Sequence, residues 1–211
     1  DLVKIFGEQR AVDSISFEAK KGEVLGFLGP NGAGKSTTMR MIGGFIPPNS
    51  GEISVCGINV LEDSLSSRAK IGYLPESNPL YYDMYVKEYL HFVASIHKIK
   101  QKKAKIDAVI EMTGLGREQS KLVGTLSKGY KQRVGLAQAM IHDPEVLILD
   151  EPTSGLDPNQ LAEIRTLIKR LGEEKIVIFS THIMQEVEAL CDRVVIINKG
   201  QLVENSNPSD L

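Results

Sequence analysis

Gly29-Pro30-Asn31-Gly32-Ala33-Gly34-Lys35-Ser36 matches the GxxxxGK[ST] pattern of a phosphate-binding loop, and this stretch decides the fold. A short apolar run over 24–28 precedes it, and a helical pattern over about 36–45 follows it. Glycines let the backbone curl so that successive N–H groups point at an anion, and the start of the helix adds partial positive charge there. This strand–loop–helix context separates the stretch from a chance glycine turn and predicts nucleotide binding.

The side chains at the end of the loop suit a triphosphate with a bound Mg²⁺ ion. Lys35 supplies a full positive charge to the terminal phosphates, and the Ser36 hydroxyl can ligate Mg²⁺. Thr37 can donate a hydrogen bond to an inner phosphate. ATP and Mg²⁺ are therefore the expected ligands, and the predicted nucleotide-binding residues of the loop are Gly29, Pro30, Asn31, Gly32, Ala33, Gly34, Lys35, Ser36 and Thr37.

Two acids, Asp150 and Glu151, follow the fully apolar run over 146–149. Ligand sites in parallel sheets lie at the carboxyl ends of the strands. Asp150 is placed to hold Mg²⁺ through water, and Glu151 is placed to polarise the attacking water as general base. The alternative is that two acids simply mark the exit of the strand to solvent. The loop at Lys35 favours the metal and base interpretation.

Outward from the loop, buried strands alternate with helices. Apolar runs over 53–55, 71–74, 176–179 and 194–197 predict further strands, and helices are predicted over about 128–141, from Asp157-Pro158, and over 183–190. Between Met84 and Met112 the apolar residues recur at helical spacing, which predicts a helical insert. This alternation indicates a largely parallel sheet with helices on both faces.

Composition and charge argue against a nucleic-acid-binding protein and against a disulfide-stabilised one. With 211 residues and a net charge of −2, the chain suits one domain and gives no sign of nucleic-acid binding. The lysines at 98, 100, 102, 103 and 105 are interpreted as the solvated end of a helix. Cys56 and Cys191 lie far apart, outside any CxxC pair, and are predicted to be buried thiols without a disulfide.

No apolar run is long enough to cross a bilayer, and no signal peptide pattern opens the chain. If the protein serves a membrane, we therefore expect another polypeptide to cross it. Asp1 and Leu211 lie outside any clear terminal element, so we expect a trimmed chain.

The ordered motifs resemble the ABC ATPase family along nearly the whole chain. Residues 29–37 look like its Walker A, Leu149-Asp150-Glu151-Pro152-Thr153 like its Walker B, 154–157 like its D-loop, and Ser180-Thr181-His182 like its switch histidine. Walker A alone indicates only a P-loop NTPase. The stretch Leu126-Ser127-Lys128-Gly129-Tyr130, similar to the LSGGQ signature and just upstream of Walker B, singles out this family.

The resemblance implies a mechanism in which two such domains pair head to tail and enclose two ATP molecules. Ser127 and Gly129 would touch the γ-phosphate bound by the partner's loop, and His182 would contact the γ-phosphate of its own chain. Asp157 would link the two sites, and Phe6 stands where the family places an aromatic ring under the adenine. For Phe6 the alternative is an ordinary core aromatic.

Two departures from the family pattern stand out. The signature has Lys128 for the usual first glycine and Tyr130 for the glutamine, while Ser127 and Gly129 are retained. Glu76 replaces the usual Gln of the Q-loop, and a carboxylate there can bind Mg²⁺ or water but cannot donate a hydrogen bond when ionised. This combination resembles the ABC-2 class, which serves exporters of drugs, polysaccharides or lipids and includes the gliding-motility type.

The expected fold class is α/β: a P-loop NTPase core with a mostly parallel sheet, a small antiparallel β portion and an α-helical subdomain. We expect a single domain over 1–211, with a core of about 1–76 and 142–211 and a helical subdomain of about 77–141. The helical insert is either only a lid or, as the resemblance implies, the part that docks on a membrane subunit. The candidate docking patch, part of which is expected to be core, comprises Tyr81, Tyr82, Tyr85, Tyr89 and Phe92.

The implied function is ATP hydrolysis that powers transmembrane transport through a separate transmembrane permease subunit. The expected partners are that permease and a second copy of this chain or a homologous ATPase subunit, at the cytoplasmic inner face of the membrane, with no nucleic acid. One alternative is a soluble ABC ATPase not coupled to a permease, and another is a P-loop switch without turnover. The interval between Lys35 and Ser127 has no room for a long coiled coil, which disfavours the chromosome and DNA-repair types of soluble ABC ATPase. The retention of Glu151 and His182 disfavours a switch without turnover.

Overall fold

A computed structural model describes all residues, 1–211, as ten strands, seven α-helices and two short 3₁₀ turns at Val123–Thr125 and Pro208–Asp210. The strands are β1 (Leu2–Phe6), β2 (Gln9–Ile15), β3 (Glu23–Leu28), β4 (Ser54–Val55), β5 (Ile58–Asn59), β6 (Ile71–Leu74), β7 (Val146–Asp150), β8 (Ile176–Thr181), β9 (Arg193–Asn198) and β10 (Gln201–Ser206). The helices are α1 (Lys35–Ile42), α2 (Ser64–Ala69), α3 (Val86–Ile96), α4 (Lys102–Met112), α5 (Lys128–Met140), α6 (Pro158–Gly172) and α7 (Met184–Leu190).

The main sheet has six strands in the order β10-β9-β3-β8-β7-β6. All neighbouring pairs from β9 to β6 are parallel, and β10 adds an antiparallel edge through the Lys199-Gly200 turn. Both turn residues have positive φ, 48° and 80°, as a tight hairpin requires. The expected fold class is confirmed: a mostly parallel sheet with helices and a small antiparallel portion.

Two hydrophobic clusters cover opposite faces of this sheet. Successive residues of β7 alternate between them: Leu147 and Leu149 belong to the larger cluster with α3–α6, and Val146 and Ile148 belong to the smaller one. The smaller cluster also contains residues of α1 and of the two-stranded β1–β2 and β4–β5 sheets. Because β7 is buried along its whole length, its unbroken apolar sequence follows directly from its central position.

The helical insert predicted over 84–112 consists of two helices. α3 ends at Ile96 and α4 begins at Lys102. Lys98 between them has a positive φ of 53°, which a continuing right-handed helix cannot contain. No helix in the structure combines the length and the apolar character needed to cross a bilayer.

The prediction of two buried cysteines was wrong for Cys56, which is exposed. Cys56 and Gly57 form the turn between β4 and β5 with φ of 51° and 79°, and this tight turn presents the Cys56 side chain outward. Cys191 is only partly exposed, and burial raises the pKa of its thiol to about 12. No disulfide joins them.

Candidate functional site

Four segments of the predicted site gather at one edge of the sheet because each follows the carboxyl end of a parallel strand. The loop 29–37 follows β3, Glu151 follows β7, His182 follows β8, and Glu76 lies two residues beyond β6. These four strands are neighbours in the order β3-β8-β7-β6. The chain thus brings segments far apart in sequence to one rim, where ligands of parallel sheets bind.

The glycine-rich loop is packed so closely that two glycines have no room for a side chain. A Cβ at Gly34 would lie 2.4 Å from the Ala11 carbonyl oxygen, and a Cβ at Gly29 would lie 2.4 Å from that of Ile197. Gly34 also has a φ of 106°. The loop is thereby held against β2 and β9.

Lys35 begins α1 and is buried, with its ammonium turned back into the loop. Nζ donates to the Gly29 carbonyl oxygen at 2.8 Å and lies 3.4 Å from that of Pro30. It also lies 3.3 Å from Glu151 Oε1, and both side chains are about 6–7% exposed. A buried ammonium and carboxylate therefore share the floor of the site.

Glu151 connects Lys35 to His182. Its other oxygen, Oε2, lies 3.0 Å from His182 Nδ1, and the His182 side chain is 45% exposed. Glu151 has a φ of 50°, in the left-handed region that non-glycine residues rarely adopt. Its Oε1 is buried without a hydrogen-bond partner, so it faces Lys35 only through the ion pair.

A nearly buried carboxylate lies next to Glu151 at the end of β7. Asp150 is 2% exposed, and its Oδ1 accepts a hydrogen bond from the Ser180 hydroxyl at 2.5 Å. On the following residue, the Thr181 hydroxyl donates to Glu186 Oε2 at 2.6 Å and accepts from the Ile183 N–H at 3.1 Å. These bonds fix the turn that presents His182.

The loop opens into a cavity of about 450 Å³ lined by Phe6, Gln9, Ala11, Asn31, Gly32, Gly34, Lys35, Ser36, Thr37, Glu76 and Glu151. Phe6 is 50% exposed at its rim, with Lys4 Nζ 5.2 Å from the ring centroid. Gln9 and Ala11 were not predicted as lining residues. They lie on β2, whose half-exposed pattern did not reveal a strand.

The oxygen donors at this cavity fit a hard divalent cation. Hydroxyl and carboxylate oxygens are the ligands that Mg²⁺ accepts. Ser36 and Glu76 supply them in the cavity lining, and Asp150 lies buried behind it, next to Glu151. The structure has no group of three or more His, Cys, Asp or Glu side chains that could hold a metal unaided. Such a donor set suits a cation that shares its coordination with phosphate oxygens and water.

Ser127 and Gly129 lie outside this cavity, at the start of α5. Ser127 is exposed and caps the helix by accepting from the Tyr130 N–H. Gly129 is buried, and a Cβ there would meet the Gln160 side chain at 2.3 Å. Asp157 caps α6 by accepting from the N–H groups of Asn159 and Gln160, at 3.0 and 2.9 Å.

The family model of the ABC transporter matches residues 12–154. The bacitracin transport ATP-binding protein of Bacillus licheniformis is 47% identical over 206 residues, 97% of this chain and 67% of that protein. The linearmycin resistance ATP-binding protein of Bacillus subtilis is 40% identical over 214 residues, 100% of this chain and 69% of that protein. The chain thus spans about two thirds of the length of these relatives.

A solved structure of similar fold is a dimeric ATP-binding cassette in a post-hydrolysis state, bound to ADP and phosphate. It is 25% identical, with a TM-score of 0.88 over 98% of this chain and 96% of that chain. Together with the family match, the phosphate-binding loop and the acids beside it, these similarities show that the chain belongs to the ABC transporter family, as an ATP-binding and ATP-hydrolysing subunit.

Proposed function

We propose that the cavity at Lys35 is the ATP site, with Glu151 as general base and His182 as the residue that fixes the γ-phosphate and the attacking water. One observation carries this proposal: Glu151 contacts Lys35 through one oxygen and His182 through the other. A carboxylate held between an ammonium and an imidazole, at the mouth of a glycine-rich loop, suits proton abstraction next to a bound phosphate.

The buried Lys35–Glu151 ion pair implies that phosphate binding precedes the release of Glu151 for its role as base. Phosphate oxygens entering the loop compete with Glu151 for the Lys35 ammonium, because both are anions within reach of one cation. Loss of that partner leaves the Glu151 carboxylate available for water. The loop N–H groups and the start of α1 then hold the phosphates in place.

Ser36, Asp150 and Glu76 would hold Mg²⁺, which supplies charge neutralisation to the terminal phosphates when bound. Asp150 is buried at the strand end and suited to a contact through water, whereas Glu76 is exposed on the cavity wall. Phe6, exposed at the rim, is suited to stack on the adenine.

Two copies would complete each site. Ser127 and Gly129 lie outside the cavity of their own chain, and the exposed Ser127 begins a helix whose N-terminus favours an anion. We propose that they contact the nucleotide held by the loop of a second copy or of a homologous subunit. Asp157, also exposed, would lie at the interface that joins the two sites.

We propose that about 1–76 and 142–211 form the catalytic core and 77–141 a helical subdomain that docks on a permease at the inner face of the membrane. Four aromatic side chains of this segment are 38–56% exposed: Tyr81, Tyr82, Tyr85 and Phe92. Tyr89 is 3% exposed and belongs to the core, so it is not part of the candidate docking patch. Exposed aromatic residues in one segment are typical of protein interfaces.

Export is the direction we propose for the transport. The names of two relatives refer to bacitracin transport and to linearmycin resistance, and resistance to a compound is consistent with its removal from the cell. The LSKG-type signature and Glu76 agree with the exporter class that the sequence resembles.

Co-purification tests the docking patch. Tagged protein purified from membranes should retain a membrane-spanning partner, and the double variant Tyr85→Arg, Phe92→Arg should lose it. Leu65→Arg, at an exposed leucine of α2, is the matched control.

Lys35→Ala tests the site itself. Removing the ammonium should weaken ATP binding by about 100-fold or more, since charge-assisted bonds to phosphate are among the strongest in proteins. Titration with a fluorescent ATP analogue measures it. Unchanged affinity would mean that the nucleotide binds elsewhere.

Glu151→Gln tests the base and the pair together. The variant should retain ATP binding, lose about 100-fold or more of its hydrolysis rate, and accumulate as an ATP-bound dimer in light scattering. Glu174→Gln, an exposed acid beyond the opposite end of the sheet, should behave as the wild type. A Glu151→Gln protein that stays monomeric at saturating ATP would contradict the paired site.

A further inference from the structure

Ser180 lies between the two acids of the site and has no role in the proposal above. Its side chain is fully buried, and the β7–β8 register places it opposite Asp150. Its hydroxyl donates to Asp150 Oδ1 at 2.5 Å and accepts from the Glu151 N–H at 3.2 Å. A single hydroxyl thus joins the side chain of one acid to the backbone of the other.

The direction of these two bonds is determined by chemistry. The Glu151 N–H can only donate, so Ser180 Oγ accepts from it and directs its single proton to Asp150. The hydroxyl thereby fixes the orientation of Asp150 Oδ1 at the end of β7.

The backbone bond has a second consequence. Glu151 has a φ of 50°, and its N–H is held by both the hydroxyl and the carbonyl oxygen of Ser180, the latter at 3.1 Å. Conformations of this kind persist only when their surroundings hold them. This one aims the Glu151 carboxylate at Lys35 and His182.

We propose that Ser180 is a positioning residue for ATP hydrolysis: its hydroxyl fixes the orientation of the Asp150 carboxylate and, through the Glu151 N–H, holds Glu151 in its working conformation. Ser180 is fully buried and does not line the cavity, so it acts through Asp150 and Glu151. The inference rests on the proposed roles of Asp150 and Glu151.

Ser180→Ala tests the inference by equilibrium binding. With a fluorescent ATP analogue in EDTA, affinity should stay within about twofold of the wild type, because the loop is untouched. The Mg²⁺ concentration that half-saturates the Mg²⁺-dependent part of binding should rise about 10–100-fold, the usual cost of losing a partner behind a metal ligand. The kcat of hydrolysis should fall by a similar factor, with little change in KM for ATP.

Ser180→Thr keeps the hydroxyl and should restore the Mg²⁺ dependence to within about threefold of the wild type. Thr166→Val, which removes an exposed hydroxyl bonded only to the Ala162 carbonyl oxygen, is the matched control and should change nothing. If Ser180→Ala fails to fold, Ser180→Cys, a weaker donor of similar shape, is measured in its place.

Wild-type Mg²⁺ dependence in Ser180→Ala would overturn the inference. So would an equal fall in nucleotide affinity with and without Mg²⁺, accompanied by a lower unfolding temperature, since that indicates a structural role alone. The two proposals fail separately. Unchanged ATP binding in Lys35→Ala overturns the site, whereas a normal Ser180→Ala beside a defective Lys35→Ala overturns only the role of Ser180.

Discussion

At the scale of single residues, the glycines of the phosphate-binding loop differ in what a methyl group would meet. Gly34 combines a φ of 106° with a carbonyl oxygen 2.4 Å from the position of a Cβ, whereas Gly32 has a φ of 80° and open space around it. Conformational strain is common to both positions, and the steric clash belongs to Gly34 alone.

Gly34→Ala should therefore destabilise the nucleotide-free protein more than Gly32→Ala. We expect losses in the free energy of unfolding of about 3 kcal/mol and about 1 kcal/mol, because the first adds overpacking against the Ala11 carbonyl to the strain of a left-handed conformation. Urea unfolding without nucleotide measures both. Equal losses would show that the loop yields freely at Gly34.

His142 predicts how stability depends on pH. Burial, together with charge repulsion from the nearby His97, lowers its pKa to about 4; the two rings stack with centroids 4.1 Å apart. Nε2 lies 3.0 Å from the Ile71 carbonyl oxygen, so it carries the proton, and the buried Nδ1 has no partner. The folded protein therefore favours the neutral ring.

Proton linkage determines whether the free energy of unfolding rises or falls with pH. Above pH 6.5 the ring is neutral in both states, and as the pH falls from 6.5 toward 4 only the unfolded chain binds the proton. The free energy of unfolding should therefore fall by about 1–2 kcal/mol over this range, after allowance for partial exposure. His142→Gln, which can still donate to Ile71, should flatten the difference between urea unfolding at pH 7 and pH 4.5. An unchanged difference would assign the acid sensitivity to other groups.

At the scale of elements, the buried strands of the main sheet were predictable from the sequence, whereas β1, β2 and β10 were not. β3, β6, β7 and β8 contain short, mostly apolar runs, and the structure confirms them within one or two residues. β1, β2 and β10 have mostly partly or fully exposed residues, so no clear alternation revealed them. The six-residue α2 is too short for helical periodicity to be read.

Within the site, motif residues were predictable from the sequence, and residues brought in by tertiary packing were not. Residues in fixed motifs, such as Lys35 and Glu151, were assigned from the motif and from the predicted strand that precedes it. Gln9, Ala11 and Ser180 contact the site through tertiary packing, and only the strand register shows this. The break between α3 and α4 depends on the positive φ of Lys98, which no sequence pattern indicated.

Arg133 of α5 joins three helices and should contribute more to the free energy of unfolding than its ionic partner Glu163. It is 9% exposed, donates to the Thr113 carbonyl oxygen after α4 at 2.9 Å, and pairs with Glu163 of α6. Arg133→Met leaves the Thr113 carbonyl unpaired and should lower the free energy of unfolding by about 3 kcal/mol. Glu163→Gln, at a side chain 65% exposed, should lower it by about 1 kcal/mol or less. Equal losses in urea unfolding would indicate that the ion pair, and not the carbonyl contact, holds the helices.

At the scale of the whole molecule, the helical insert and the sheet share one core. The larger hydrophobic cluster has 29 buried residues and includes Leu90 of α3, Leu136 of α5, Leu167 of α6 and Phe179 of β8. Side chains from the insert therefore pack in the same cluster as the strand that precedes His182. The insert and the sheet should behave as one cooperative unit.

Leu90→Ala tests that unit. Leu90 is fully buried, so the cavity should cost about 3 kcal/mol of unfolding free energy. Far-ultraviolet circular dichroism and tyrosine fluorescence should still report one transition at a single, lower denaturant midpoint. Two separated transitions would show that the insert unfolds independently of the sheet.

The outward-facing turn at Cys56 gives each molecule a natural point of attachment. A maleimide spin label or dye should couple there and spare Cys191, whose thiol is partly buried and has a pKa of about 12. Since Cys56 does not line the cavity at the phosphate-binding loop, we expect the attached probe to leave nucleotide binding intact. Two labelled molecules coming together would then report their separation by dipolar spectroscopy or energy transfer, without any engineered cysteine.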